Sequence, residues 1–401
     1  PGSAIDQLGR SRLSTVYMPG YKITMLPGSV VQAYTLIEGR ACPAVSLYVT
    51  FSEDTLDVQH AETRLERVNI LANLRHDQLD QTITREWLEA DQADTPADLP
   101  VDRATLAFFW RLAQTLKARR EVVRGKPESF NRPDYSFKLD RLSNDAPPTG
   151  EETVLIGVRQ RGAPLDLMVA EAMILANSTW GQWLASLGVP GIYRSQASMA
   201  PGVKVRMGTK ALPHAGIGVP SYAWSTSPLR RYTDLVNQWQ IIACAKHGAT
   251  AALAAPFKPK DAELFSIISG FDAAYSAYNA VQSSMERYWT LRHVQQQGLT
   301  ELEASLIKEM GGGIWLVRAD SLPLMFSVMG AQGLARGARV RVQLGDIDLM
   351  ALDVKGTVTA HLDAPQVVAD ETDEAEDDEA LSAGPLTIAV DLNDSTQSDG
   401  A

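Results

Sequence analysis

The sequence predicts an α+β protein in which a mixed, helix-rich part precedes a small β-barrel and an acidic tail. Long helical patterns alternate with short strand patterns up to residue 297. Five short strand patterns separated by Gly-rich turns then follow, as in small nucleic-acid-binding barrels. The acidic end of the chain forms a third region. We therefore expect the domain boundaries 1–297, 298–362 and 363–401.

The negative charge of the chain is concentrated in that tail. The 401 residues include 48 Asp and Glu and 37 Lys and Arg, a net charge of −11. Twelve of the acids and none of the bases follow Lys355, which leaves 36 acids against 37 bases in residues 1–355. Because a self-repelling acidic segment does not form a core, residues 363–401 are expected to be disordered. A solubilising role and competition with nucleic acid for a basic groove both stay open.

Composition excludes several classes of protein. With 45% hydrophobic and 21% charged residues the chain is typical of a globular protein. It has no apolar run of about 18 residues, so no membrane partner is expected. Its two cysteines, Cys42 and Cys244, make no disulfide framework and suit a reducing cytoplasm. Six scattered histidines argue against structural zinc. The chain begins with Pro1 and shows no signal peptide, so we expect a cytoplasmic fragment or processed product.

Individual elements follow from periodicity. The helix predicted at 101–123 has a single apolar face. The helix predicted at 165–187 is apolar nearly all round, which is typical of a buried helix. The expected helices are 60–92, 101–123, 165–187, 228–247 and 261–297. The expected strands are 45–51 and 153–161, then 299–309, 313–319, 323–329, 338–346 and 351–361 in an OB-type barrel.

The start of the helix expected at 228–247 breaks a charge rule. Ser227 is a good N-cap residue and Pro228 suits the first helical position. Helix N-termini favour acidic residues, yet Arg230 and Arg231 stand in the first turn. Free N–H groups, hydroxyls and two guanidiniums suit a phosphate, and Asp234 is placed to hold the Arg230 fork. The alternative is a surface helix with solvated arginines, and this stretch alone leaves both open.

The same residues resemble a known signature. Thr226-Ser227-Pro228-Leu229-Arg230-Arg231-Tyr232-x-Asp234 looks like the motif near the end of the catalytic domain of ribonuclease II-type exoribonucleases, the RNB family. Three further segments resemble the family in the same order, namely 16–27, 132–137 and 169–177. The resemblance covers roughly residues 1–297, and more loosely 298–362 as the family's S1 barrel. It implies a mixed RNB catalytic fold.

The resemblance also implies an activity. The family hydrolyses single-stranded RNA from the 3′ end to nucleoside 5′-monophosphates with Mg²⁺, and we expect a monomer with no other cofactor. Arg230 matches the catalytic arginine that clamps the scissile phosphate, and Glu171 matches the glutamate at the last ribose. For Glu171 the alternative is a structural ion pair with an arginine, because a buried carboxylate needs a partner.

The remaining candidate residues bind substrate in the family. Tyr17 and Phe137 match aromatics that stack on bases, where each stacked base contributes roughly 1–3 kcal/mol; core packing is the alternative for both. Glu286 matches the family's Glu-Arg pair. Arg231 is expected to position the backbone or to pack the helix. Two hydroxyl residues, Thr226 and Ser227, complete the candidate substrate-binding set.

One departure concerns the metal. The family binds Mg²⁺ through clustered aspartates that lie upstream of the segment matched by Tyr17, and close carboxylates are what such ions require. Asp6 is the one acid among the sixteen residues that precede Tyr17, and it falls at a different position. We therefore expect no metal ligands in this chain and near-inactivity when it is alone. A non-catalytic single-stranded RNA-binding protein on the same fold is the second reading.

Overall fold

The computed structural model describes residues 1–75, 79–90, 96, 99–128, 133–141, 146–160 and 162–362. It confirms a mixed helix-and-sheet fold that ends in a strand-rich barrel. The tail predicted to be disordered lies outside the described residues. The helices are α1 (Ala4–Arg12), α2 (Gly28–Tyr34), α3 (Arg85–Glu89), α4 (Arg103–Arg124), α5 (Pro164–Ser186), α6 (Tyr232–His247), α7 (Ala251–Ala254) and α8 (Ala262–Gln296).

The strands before the barrel form separate two-stranded antiparallel ladders. They are β1 (Val16–Met18) with β2 (Tyr21–Ile23), β3 (Ala41–Phe51) with β4 (Val58–Asn69), β5 (Pro133–Leu139) with β6 (Val154–Gln160), and β7 (Tyr193–Ser195) with β8 (Arg206–Gly208). In the part of the chain that the structure describes, no helix is long and apolar enough to cross a bilayer.

The barrel is the most regular part of the molecule. Its strands are β9 (Glu301–Gly311), β10 (Ile314–Ala319), β11 (Met325–Met329), β12 (Arg339–Asp348) and β13 (Asp353–Leu362). They close in the order β10-β11-β13-β12-β9, with β11 and β13 parallel and the other neighbours antiparallel. Every predicted strand bound in this region lies within two residues of the observed one. Alternating apolar side chains such as Leu306, Val317 and Phe326 fill its core.

Helices α4, α5 and α8 also match their predictions. Asp102 caps α4 by accepting a hydrogen bond from the Thr105 N–H at 2.8 Å, and Gly125 ends it in the left-handed region with φ 76°. Helix α5 has 23 residues and α8 has 35, close to the predicted 165–187 and 261–297. These bounds follow from local capping and apolar periodicity.

The helix predicted at 60–92 is wrong. Residues 58–69 form β4, which pairs with β3 in a register that sets Val45 opposite Leu65, and among the described residues of this span a short helix covers Arg85–Glu89. Most side chains of β4 are polar and exposed, so the alternating apolar signal of a half-buried strand is missing. Pairing with a strand earlier in the chain fixes this segment as β structure.

The barrel is attached to the long helix and to the β5–β6 hairpin. Arg287 on α8 donates hydrogen bonds to the carbonyl oxygens of Leu352 at 2.5 Å and Met325 at 2.6 Å. Ile156 on β6 packs against the barrel core, and it lies opposite Phe137 of β5. The strand that bears Phe137 is therefore fixed between the barrel and the helix-rich part.

Candidate functional site

The arginine segment is a turn and not a helix start. The N–H groups of Arg230 and Arg231 both donate to the Ser227 carbonyl, at 3.2 and 3.1 Å, and α6 begins only at Tyr232. The predicted N-cap at Ser227 and helical start at Pro228 are therefore wrong. No capping bond from the Ser227 side chain is present, and the residue before the helix is Arg231 in an extended conformation.

Asp234 stabilises this turn from inside α6. Its Oδ1 accepts from the Ser227 N–H at 2.9 Å and from Arg231 Nη2 at 2.7 Å, and its Oδ2 accepts from Arg231 Nε at 2.9 Å. The prediction that Asp234 holds the Arg230 fork is thus wrong, because the pair forms one residue later. Burial lowers the pKa of the Arg231 guanidinium, but the charge and hydrogen bonds of Asp234 outweigh this and raise that pKa.

Arg231 is a packing residue in this structure. Its guanidinium lies 4.0 Å from the ring centroid of Trp224, and that of Arg194 lies 4.1 Å from the same ring. Trp224 is itself buried, so both cations are held against an aromatic face in a desolvated setting where cation–π attraction is strongest. The contact between Arg231 and RNA stays a prediction.

Buried amides hold the chain on the other side of the turn. Asn177 of α5 accepts from the Ser225 N–H at 2.9 Å and donates to the Thr226 hydroxyl at 3.4 Å. Asn237 donates to the Trp224 carbonyl at 2.7 Å, and Gln238 donates to that of Ser225 at 2.9 Å. Sequence reasoning missed the role of these amides, although a lone Asn177 inside an apolar helix was a usable signal.

Arg230 is fixed through its backbone by the start of the chain. Its carbonyl accepts from the Thr15 N–H at 2.9 Å and from the Ser14 hydroxyl at 3.2 Å. Its side chain is 8% exposed. In the described part of the chain, the buried hydroxyl of neighbouring Ser227 has no hydrogen-bond partner. A buried guanidinium and an unsatisfied hydroxyl on one hydrogen-bonded turn are suited to an anionic ligand.

The aromatic candidates belong to neighbouring elements. Tyr17 on β1 and Phe137 on β5 are each half-buried, so neither ring is fully enclosed in a core. The β1–β2 turn meets the end of β5, where a side chain at Gly20 would collide with Leu139, and Arg141 donates to the Gly20 carbonyl at 2.9 Å. The structure therefore places both rings on elements that contact each other, and base stacking by them stays a prediction.

Glu171 forms the ion pair that the sequence left as an alternative. Its side chain is 2% exposed, and both of its oxygens accept hydrogen bonds from Arg120 of α4, one of them from Nε at 3.0 Å. Burial raises the pKa of Glu171, against the lowering effect of Arg120. Glu171 can contact a ribose, as predicted, only through the lone pairs of its oxygens that do not accept from Arg120.

Glu286 makes no pair with the arginine that follows it, because Arg287 is bound to the barrel. Its Oε1 accepts from Gln282 Nε2 at 3.2 Å one turn earlier on α8. Burial raises the pKa of Glu286, and the negative charge of Asp134 on β5 adds to the effect. Its role at the substrate stays a prediction.

The described residues do not fit a magnesium ion. They contain no group of three or more His, Cys, Asp or Glu side chains placed to hold a metal. The buried carboxylates nearby bind protein donors instead: Asp6 accepts from the Tyr232 hydroxyl at 2.6 Å, Glu171 binds Arg120 and Asp234 binds Arg231. These residues therefore support no catalytic step through a metal.

Comparison with protein families identifies the helix-rich part. The RNB domain model matches residues 1–207 and 199–247. An uncharacterized ribonuclease of Synechocystis is 24% identical over 353 residues, which is 81% of this chain and 46% of that protein. Exoribonuclease 2 of Vibrio parahaemolyticus is 24% identical over 291 residues, covering 59% of this chain and 41% of the relative. The chain spans about half the length of the curated relatives it matches.

Solved structures share the fold. The Dss1 exoribonuclease active site mutant of Candida glabrata aligns with a TM-score of 0.71 and 20% identity over 89% of this chain and 48% of that one. RNase R of Mycoplasma genitalium in complex with ribose methylated single-stranded RNA gives 0.69 and 16% over 89% and 64%. Yeast Ssd1, described as a pseudonuclease, gives 0.56 and 15% over 86% and 46%. At these identities the likeness concerns the fold alone.

Proposed function

Since the chain belongs to the RNB family, we propose that it supplies the substrate-binding part and the catalytic arginine of a 3′-to-5′ exoribonuclease. The substrate is single-stranded RNA, the products are nucleoside 5′-monophosphates, and the protein acts as a monomer. The observation that carries this proposal is the hydrogen-bonded Ser227–Arg231 turn, in which Arg230 is buried and the buried Ser227 hydroxyl has no hydrogen-bond partner among the described residues.

Arg230 is proposed to stabilise the charge that develops on the scissile phosphate. A preorganised guanidinium in a water-poor setting costs little reorganisation during the reaction, so its effect exceeds that of the same cation in water. Its backbone is held by residues 14 and 15 on one side and by the Ser227 carbonyl on the other. The hydroxyls of Ser227 and Thr226 are proposed to donate to the same phosphate.

The other candidates are proposed to hold the nucleotides that follow the reacting phosphate. Glu171 accepts from the 2′-hydroxyl of the terminal ribose, which distinguishes RNA from DNA. Tyr17 and Phe137 stack on bases, and Glu286 and Arg231 contribute to the wall of the binding path. These roles are supported by the family match and by the placement of the residues on elements that contact one another.

The metal of this reaction is proposed to be Mg²⁺, bound by residues other than those described. Because Asp6, Glu171 and Asp234 are bound to tyrosine and arginine donors, the 401-residue chain is expected to bind RNA and to hydrolyse it very slowly. Hydrolysis requires a version of the protein that also carries a cluster of close carboxylates.

The test is a time course on 5′-labelled single-stranded RNA with Mg²⁺, using this chain beside an upstream-extended version. We expect shortening from the 3′ end by the longer version only. In that version Arg230→Lys is expected to lower turnover about 100- to 1,000-fold, the range for loss of one such donor, with nearly unchanged RNA binding. The matched control is Arg119→Lys, a half-buried arginine on α4 that binds Asp57. Unchanged turnover in Arg230→Lys would remove Arg230 from the chemistry.

A second function is a non-catalytic single-stranded RNA-binding protein on the same fold. Two observations favour it: the described residues contain no metal-ligand group, and a protein described as a pseudonuclease shares the fold. It predicts salt-sensitive RNA binding by both versions and hydrolysis by neither.

A further inference from the structure

Arg120 lies buried between two carboxylates that come from different parts of the chain. Its Nε donates to Glu171 Oε2 at 3.0 Å and its Nη2 donates to Glu171 Oε1. On its other side, Nη1 and Nη2 donate to Glu128 Oε1 and Oε2, both at 3.0 Å. Nη1 also donates to the Ile217 carbonyl at 2.6 Å. One guanidinium thus joins α4, α5 and the segment that precedes the Arg230 turn.

This arrangement uses the full donor capacity of the side chain. A guanidinium has five N–H groups in a fixed plane, and Arg120 has five acceptors: two oxygens of Glu171, two of Glu128 and the Ile217 carbonyl. Arg120 therefore has no donor left for a substrate. Any effect that it has on a ligand must act through Glu171.

Arg120 is itself held in place by the residues around it. The Glu128 N–H donates to Glu121 Oε1 at 2.8 Å, and Arg124 lies 3.6 Å from Glu128 Oε1. Gly218, with φ +78°, packs directly on the Arg120 backbone, since a Cβ there would collide with the Arg120 carbonyl oxygen. Glu128 is thus a fixed counter-ion that orients the guanidinium toward Glu171.

The ion pair with Arg120 fixes the direction from which another donor can reach Glu171. Each carboxylate oxygen can accept two hydrogen bonds, and Arg120 occupies one position on each. A side-by-side pair of this kind also fixes the plane of the carboxylate. The remaining lone pairs therefore point in a direction set by Arg120 and not by rotation of the Glu171 side chain.

We propose that Arg120 and its counter-ion Glu128 are positioning residues that set the ribose specificity of the site by orienting Glu171. This inference rests on the proposed function, in which Glu171 accepts from the terminal 2′-hydroxyl. Lysine in place of Arg120 keeps the positive charge but provides three donors without a plane, so it does not fix the carboxylate.

The experiment measures two dissociation constants for the 401-residue chain by fluorescence anisotropy. One ligand is a 5′-fluorescein single-stranded RNA, and the other is the same RNA with a single 2′-deoxyribose at its 3′ end. The readout is the dissociation constant of the strand with the 3′-terminal 2′-deoxyribose divided by that of the all-RNA strand. Glu171→Gln is expected to reduce the ratio about tenfold, the low end for loss of one hydrogen bond to a charged acceptor. Arg120→Lys is expected to reduce it by a similar factor, and Glu128→Gln by about twofold.

Coupling separates positioning from an independent effect. If Arg120 acts through Glu171, the Arg120→Lys, Glu171→Gln double variant shows no greater loss than Glu171→Gln alone. The matched control is Arg119→Lys, the neighbouring arginine, which binds Asp57 and is expected to leave the ratio unchanged. Thermal melting of each variant checks that it is folded.

Two failures are distinguishable. A wild-type ratio in Glu171→Gln, or no RNA binding by the chain, overturns the ribose contact of the proposed function and this inference with it. A reduced ratio in Glu171→Gln with a wild-type ratio in folded Arg120→Lys overturns the positioning role alone. If Arg120→Lys does not fold, a wild-type ratio in folded Glu128→Gln overturns it equally.

Discussion

The barrel and the Arg230 turn are stabilised in opposite ways. Barrel strands bury apolar side chains in one shared core, while the ion pairs of Glu303 with Arg339 and Arg341 lie at the surface. The Arg230 turn buries its polar groups, with Asp234 at 0% exposure and Arg231 at 2%. Surface ion pairs contribute little to the free energy of unfolding, whereas a buried charge that loses its partner lowers it strongly.

This difference predicts where single substitutions act. In the barrel many apolar contacts share the stabilisation, so removal of one surface charge leaves the fold nearly unchanged. In the turn each carboxylate or amide satisfies several groups that have no access to water, so one substitution leaves more than one of them without a partner.

The largest effect is expected from Asp234→Ala, which leaves the Arg231 guanidinium buried without its counter-ion. The free energy of unfolding should fall by about 3–5 kcal/mol, the range for a broken buried ion pair. Urea unfolding followed by circular dichroism measures it. Asp234→Asn is the matched variant, because it keeps the shape while it loses the charge and one of the two acceptor oxygens. A cost below 1 kcal/mol would show that the turn does not depend on this pair.

Asn177→Ala is expected to cost about 3 kcal/mol, the upper end for buried groups left without a hydrogen bond. The Ser225 N–H and the Tyr222 hydroxyl both lose their partner in this variant. Hydrogen exchange measured by mass spectrometry should show faster exchange in residues 222–227 and unchanged exchange in the barrel. Asn279→Ala, at an exposed position of α8, is the control. Equal exchange in both variants would contradict the prediction.

Acid should weaken the region around the turn through His214. Burial, assisted by the charge of Arg194, lowers the pKa of His214 to about 3. The unfolded chain, with an ordinary pKa near 6.5, therefore takes up the proton first, so this contribution is full above pH 6.5 and decreases as the pH falls toward 3. The free energy of unfolding is expected to fall by about 1.4 kcal/mol for each pH unit below 6.5, which is about 2 kcal/mol at pH 5.

The measurement for His214 is urea unfolding at pH 7 and pH 5. In His214→Phe the difference between the two pH values should shrink by that amount, since the titrating group is gone. His247→Phe, at an exposed position, should keep the wild-type difference. Identical pH dependence in wild type and His214→Phe would mean that this histidine is protonated equally in both states.

The smallest effect is expected in the barrel. Glu303→Ala removes the surface partner of Arg339 and Arg341 and should cost less than about 1 kcal/mol. The same urea assay measures it, ideally at two salt concentrations, because screening should reduce the small effect further. A cost as large as that of Asp234→Ala would break the contrast between the two regions.

The same contrast decides what the sequence alone predicts. Barrel strands and helices α4, α5 and α8 follow from apolar periodicity and capping, which are local. The Arg230 turn depends on Asp234, Asn177 and the Ser14–Thr15 segment, and the motif letters do not show which arginine Asp234 binds. The helix predicted at 60–92 is wrong for a similar reason. Residues 58–69 are a strand because they pair with β3, and their own sequence pattern does not show this.

For the candidate site the residue types were more predictable than their partners. A carboxylate at Glu171 inside an apolar helix requires a donor, so an ion pair with an arginine was a sound alternative. Nothing in the run around Arg120 separates it from Arg119, because the periodicity of an amphipathic helix does not show which of two adjacent arginines meets Glu171 and which meets Asp57. Only the packing of α4 against α5 makes that choice.

The Ser14–Arg230 contact also has a kinetic consequence. It joins groups separated by 216 positions in the chain, so its formation requires closure of a very long loop. Contacts of such sequence separation form late, after local helices and hairpins are in place. During synthesis residues 14 and 15 leave the ribosome long before the segment they bind. The Arg230 turn is therefore expected to reach its final form only after α6 has emerged from the ribosome.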